Sequence, residues 1–144
     1  CNNSRMDDSV WVDNLEGRLA RIEQPVKLVL FTQTFGCDTC LSARQVVDEF
    51  ANLSEQITVE EHNLVLDKVH AERYGVDRAP AIIVSGETDL GIRYYGVPAG
   101  YERASLLDAV VLAGTGELAL KEESLAAIAT LDRPVDIKVF VTPT

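Results

Sequence analysis

The chain has 144 residues, 47% hydrophobic and 25% charged, which suits one domain with a real apolar core. A formal net charge of −10 argues against nucleic acid and anionic membrane surfaces as partners, because both need basic patches. No apolar run approaches the roughly 20 residues needed to cross a bilayer. The periodicity predicts an amphipathic helix over 7–23, with Trp11, Leu15, Leu19 and Ile22 on one side and Asp7 and Asp8 in the first turn. Gln24-Pro25 ends it, since a residue before proline is pushed out of helical geometry. Val26 to Thr32 is a near-continuous apolar run, expected as a strand buried on both faces.

The loop Thr34-Phe35-Gly36-Cys37-Asp38-Thr39-Cys40 follows, and then a helix over 41–53. Its spacing puts Cys40, Ala43, Val47, Phe50 and Ala51 on one buried face and leaves Cys37 at the helix tip. Ile57 to Asn63 reads as a second strand. Leu64 to Tyr74 reads as a weaker helix with Leu66, Val69 and Tyr74 on one side, closed by Gly75 as a C-cap. Ala81 to Val84 is a short buried strand, and Leu90 to Tyr95 returns antiparallel after the polar turn 85–89. A helix over 100–113 faces Leu106, Leu107, Val110 and Val111 inward, and Gly114-Thr115-Gly116 reads as a break. The order α-β-α-β-α-β-β-α is a compact mixed α/β unit.

The remainder stands apart from that unit. Lys121 to Leu131 suits a helix with Leu125 and Ile128 on its apolar side, and Val135 to Val141 alternates as a half-buried strand. Arg133-Pro134-Val135-Asp136-Ile137-Lys138-Val139-Phe140 echoes Gln24-Pro25-Val26-Lys27-Leu28-Val29-Leu30-Phe31. The tail therefore reads as the opening of a second copy of the same unit. The expected division is a disordered or appended leader over 1–6, a complete unit over 7–115 and an incomplete repeat over 116–144. An unpaired strand over 135–141 invites pairing with another chain, as in a homodimer.

Three cysteines, Cys1, Cys37 and Cys40, are too few and odd in number for a disulfide framework, whereas one close pair suits redox or metal chemistry. A helix N-terminus carries free N–H groups and partial positive charge, which favour a thiolate over a thiol. Only the thiolate attacks disulfides, and the two-residue spacer lets the second sulfur displace the first from a mixed disulfide. Cys37 is thus the expected nucleophile and Cys40 the resolving thiol. Zinc prefers four ligands, and the remaining soft donors are only Cys1, His62 and His70. His70 reads as a surface histidine and His62 as a satisfied or edge residue, so a metal site within one chain finds little support. A docking unit with a slow pair, or a metal or cluster bridged between chains, remains open. Asp38 beside Cys37 disfavours the thiolate and points toward the reducing end of the range.

The segments Tyr74-Gly75-Val76-Asp77-Arg78-Ala79-Pro80-Ala81 and Gly91-Ile92-Arg93-Tyr94-Tyr95-Gly96-Val97-Pro98-Ala99-Gly100 resemble the glutaredoxin-like protein disulfide oxidoreductases, built from two thioredoxin-fold units in tandem. The stretch 133–144 resembles the lead-in to that family's second Cys-x-x-Cys. The resemblance implies a thioredoxin-like fold, a central mixed sheet flanked by helices. It also implies a cis Ala79–Pro80 bond facing the cysteines, with the Ala79 backbone open to an extended substrate. Phe35, Gly36 and Gly96 would line the substrate path, Gly96 by letting neighbouring backbone approach closely. Thioredoxins hold a buried Asp six residues before the first cysteine; Phe31 stands there, and Glu61 is the expected substitute proton acceptor beside Cys37, Cys40 and Pro80. The resemblance implies protein disulfide or dithiol substrates, glutathione or a thioredoxin-reductase-like donor, no organic cofactor and a cytoplasmic location. Lacking the second cysteine unit, the chain is expected to be weakly active. A lipid-modified Cys1 on an exported protein is the competing location.

Overall fold

A computed structural model describes residues 15–141 of the chain. The expectations for the leader 1–6, for Cys1, Asp7, Asp8 and Trp11, and for 142–144 lie outside the described residues. The elements are β1 (Val26–Thr32), α1 (Cys40–Leu53), β2 (Ile57–Asn63), α2 (Lys68–Tyr74), β3 (Ala81–Ser85), β4 (Asp89–Tyr95), α3 (Tyr101–Thr115) and α4 (Glu122–Ala129).

The continuous apolar run of β1 is explained by its place inside a four-stranded sheet of order β2-β1-β3-β4. It pairs parallel with β2, Val26 opposite Ile57 through Thr32 opposite Asn63, and antiparallel with β3, Leu30 opposite Ile82. β4 adds antiparallel to β3, with a bulge at Val84/Ser85. Alternate side chains feed two cores. Val26, Leu28 and Leu30 meet Ala43, Val47 and Phe50 of α1, Leu106, Leu107 and Val110 of α3, and Leu15, Leu19 and Ile22. Val29 and Phe31 point the other way, toward Ala71 of α2 and Val76. This is the thioredoxin-like arrangement, a mixed sheet flanked by helices.

Four elements depart from the sequence expectations, each for a physical reason. Among the described residues the first helix runs over 15–19 and stops there, short of Glu23. The Gly114 carbonyl takes the amides of Glu23 (3.3 Å) and Gln24 (3.1 Å), which a continuing helix would have to keep. Gly114 is correspondingly no break, because α3 runs through it and ends at Gly116, whose φ of 69° is left-handed.

α2 starts at Lys68 rather than Leu64. The Asn63 side-chain oxygen accepts from the amides of Val65 (3.0 Å) and Leu66 (3.1 Å), and Asp67 Oδ2 accepts from the Asn63 amide at 2.7 Å. Those bonds build a turn where the helix would have begun. Leu66 and Val69 consequently face outward, and Ala71 is the buried residue of α2. Gly75 does close it, in left-handed conformation with its amide on the α2 carbonyls.

The last departure is the tail. α4 buries no residue, Leu125 and Ile128 included, and 135–141 form no strand. Alternation alone makes no strand; a ladder needs a partner, and neither sheet edge, β2 or β4, takes up that backbone.

Candidate active site

β1 ends at Thr32 and hands the chain to a seven-residue loop that enters α1 at Cys40. Gly36 turns this loop with φ of 72°, a conformation that side-chain-bearing residues resist, and its carbonyl accepts from Gln33 Nε2 at 3.2 Å. Asn63 Nδ2 donates to Thr34 Oγ1 at 3.1 Å, tying the loop to the end of the parallel neighbour β2. Cys37 and Cys40 are joined by a disulfide, Cα to Cα 5.5 Å.

The two sulfurs sit in different surroundings. Cys40 opens α1 and is 8% exposed against the core, whereas Cys37 is half-exposed before the first turn. Thr39 caps α1 without a side-chain bond, and no acidic residue lies in the first turn. The free amides and positive end of α1 are thus left for Cys37.

The segment before β3 arrives at the same end of the sheet, because Ala81 pairs with Phe31, one residue from the end of β1. The Ala79–Pro80 bond is cis, Pro80 is buried and Ala79 half-buried. The Pro80 carbonyl accepts from the Gly96 amide at 3.0 Å, while the backbone of Ala79 makes no hydrogen bond among the described residues. Gly96 is glycine for a different reason from the one expected. A Cβ there would meet nothing within 4 Å, but its φ of 97° is left-handed. Phe35, beside the cysteines, is 87% exposed.

Glu61 lies on the sheet face that carries α1. Arg44, one helical turn beyond Cys40, donates to Glu61 Oε2, and Thr32 Oγ1 donates to Oε1 at 2.9 Å. Each oxygen accepts one hydrogen bond and keeps a further lone pair on which a proton could sit. Phe31, at the expected proton-acceptor position, is fully buried and packs against His62 (5.4 Å) and Tyr74 (6.0 Å).

His70 is not the surface histidine expected from the sequence. Its ring stacks on His62 with centroids 4.0 Å apart, because α2 lies over the face onto which His62 projects. His62 is satisfied, its Nε2 lying 2.6 Å from Glu60 Oε1, while Lys27 Nζ holds Glu60 Oε2 at 2.8 Å. The Lys27 ammonium, then His62, keeps the Glu60 carboxyl below the usual carboxylate range. The packing of α2 onto the face that β2 shares with Phe31 creates this grouping, and the strand register places His62 on that face.

No family model matches the chain. A thioredoxin of Methanocaldococcus jannaschii is 32% identical over 74 residues, 51% of this chain and 81% of that protein. Among solved structures, a mutant of the alkylhydroperoxide reductase AhpF of Enterococcus faecalis superposes with a TM-score of 0.76 at 25% identity, over 85% of this chain and 60% of that one. A protein disulfide oxidoreductase from Aeropyrum pernix gives 0.71 at 22% identity, over 85% and 54%, a likeness of fold. The chain thus spans little more than half the length of those two structures. Sheet order, cysteine loop and disulfide define a thioredoxin-fold unit of the disulfide oxidoreductase class. On the archaeal match, the chain belongs to the thioredoxin family.

Proposed function

We propose that the Cys37–Cys40 pair exchanges disulfides with protein substrates, Cys37 making and breaking the bond to the substrate. The observation that carries this is the asymmetry of the pair, one sulfur reachable at a helix tip and the other buried behind it. In the reducing direction the Cys37 thiolate attacks a substrate sulfur, a mixed disulfide forms, and the first substrate thiolate leaves and is protonated. Cys40, its proton passed to a base or to water, then attacks Cys37 Sγ and expels the second substrate thiol. Two electrons move from the dithiol to the substrate, and the pair ends as a disulfide. The opposite direction begins with a substrate thiolate attacking Cys37 Sγ.

Phe35, the loop glycine Gly36 and the unbonded backbone of Ala79 support an extended peptide lying across the cysteines, with Pro80 and Gly96 shaping its floor. Glu61 is the proton acceptor we assign to Cys40, reached through a water. Electrons come from glutathione or a thioredoxin-reductase-like donor in the cytoplasm, and no organic cofactor takes part. The chain reads as the first unit of a glutaredoxin-like tandem. The exposed apolar segment 135–141 is the surface for the tandem's second unit or for a second copy of the chain.

A glutathione redox titration with thiol trapping, Cys37→Ser as control, tests the reading. A reversible two-electron transition between about −120 and −270 mV supports it, and the midpoint separates oxidant from reductant. If Cys37 reacts no faster than a free thiol near neutral pH and no transition is found, the chain is a docking unit instead.

A further inference from the structure

The sheet face turned away from α1 carries a second cluster of chemistry-bearing side chains that disulfide exchange does not use. Glu60 and His62 project from β2 beside Val29 and Phe31, and His70 comes down onto them from α2. One ligand atom from each of Glu60, His62 and His70 can be chosen so that all three lie within 4.8 Å of one another.

We propose that Glu60, His62 and His70 bind a divalent transition-metal ion, with zinc the favoured occupant. Two imidazoles and one carboxylate are a donor set that suits zinc, and three protein ligands leave a fourth position for water. Bonds of about 2.0–2.1 Å put tetrahedral ligand atoms roughly 3.4 Å apart, so closing the site means turning the two imidazoles out of their near-parallel stack until both nitrogens aim at one ion. Three further observations favour an ion over plain packing. Nδ1 of His70 is buried with no hydrogen-bond partner among the described residues, and a stacked pair without an ion leaves that nitrogen uncompensated. Asp67 Oδ2 lies 3.9 Å from His62 Nδ1, where an outer carboxylate would orient a ligating imidazole through its other nitrogen. Lys27 takes only Oε2 of Glu60, so Oε1 need only exchange His62 for the ion. The bound ion would clamp α2 to β2 and thereby stiffen the 64–67 turn, which Asn63 connects to the cysteine loop.

The test is calorimetric titration of the full chain with zinc, the Cys37–Cys40 disulfide intact and Cys1 alkylated so that no thiol competes. One-to-one binding is expected, lowered about tenfold or more by His70→Ala and again by Glu60→Gln. Cobalt(II) should give the visible bands of a tetrahedral nitrogen and oxygen site, and magnesium, which favours all-oxygen shells, should not compete. Because His62 packs on Phe31, His62→Gln is compared only after its circular dichroism and melting match the parent. Absence of binding, or binding that survives the His62→Gln/His70→Ala pair unchanged in a folded protein, overturns the assignment.

Discussion

Gly114 has no side chain because Ile22 occupies the space where one would stand: a Cβ built there overlaps Ile22 Cγ2 and comes within 3.0 Å of Cγ1. The contact lets the Gly114 carbonyl reach the amides of Glu23 and Gln24 and sets the angle at which the chain enters β1. Gly114→Ala should cost about 1–3 kcal/mol by overpacking, although alanine is the better helix former. Ile22→Ala, which removes both γ carbons, should cost less in the G114A background than in the parent, read from denaturant unfolding. A G114A variant as stable as the parent would refute the contact.

The asymmetry of the cysteines predicts which variant traps substrate. Cys40→Ser should accumulate a mixed disulfide between Cys37 and a protein substrate, visible on a non-reducing gel, because the resolving step is gone. Cys37→Ser should form none and lose turnover. Equal trapping by both variants would mean that Cys40 is as reachable as Cys37.

Phe35→Ser should separate large substrates from small ones. Loss of an exposed aromatic contact predicts a fall of about tenfold in kcat/KM toward a protein disulfide. Reduction of glutathione disulfide should hardly change. Parallel loss on both substrates would place Phe35 in the chemistry rather than in docking.

Arg93 holds Asp89 through two nitrogens, at 2.8 and 2.5 Å, and also donates to the Tyr74 carbonyl at 3.0 Å. Chiefly through Arg93, the Asp89 carboxyl falls from 3.8 to about 2. Since the folded value is the lower one, the stabilisation is complete above the unfolded value and is lost as pH falls from about 4 toward 2. Asp89 is partly exposed, so the discounted worth of the pair is about 1 kcal/mol. Asp89→Asn should be less stable than the parent by that amount at pH 6, with the difference shrinking toward pH 2 and closing only below it, read from urea midpoints.

Residues beyond 120 should be dispensable for the fold. α4 buries nothing and 135–141 are exposed throughout, with Phe140 at 90%. A chain ending at Leu120 should keep its melting temperature within about 2 °C. Sedimentation of the full chain tests the homodimer at the same time: a dimer that this truncation abolishes puts the contact in the tail.

The alternation of apolar runs makes the order of strands and helices readable, and β1 stands out because a doubly buried strand must be apolar at nearly every position. The cysteine pair is equally plain from its place between that strand and a helix. What stays hidden depends on partners far along the chain. Gly114 reads as a break because its reason, Ile22, lies 92 residues away. His70 reads as a surface residue because α2, shortened by the Asn63 and Asp67 turn, is rotated from the face that Leu66 and Val69 suggest. The strand over 135–141 rests on pattern alone, and a pattern cannot supply a neighbour.

β1 is paired along both edges, and the cysteine loop springs from its end. The proposed exchange would therefore take place at a well-braced point of the sheet, where breaking or making the sulfur bond has little scaffold to disturb. The oxidised and reduced forms should present nearly the same silhouette. A reductase or substrate that tells them apart must sense the few atoms around Cys37 by touch, because the rest of the molecule broadcasts nothing about its redox state.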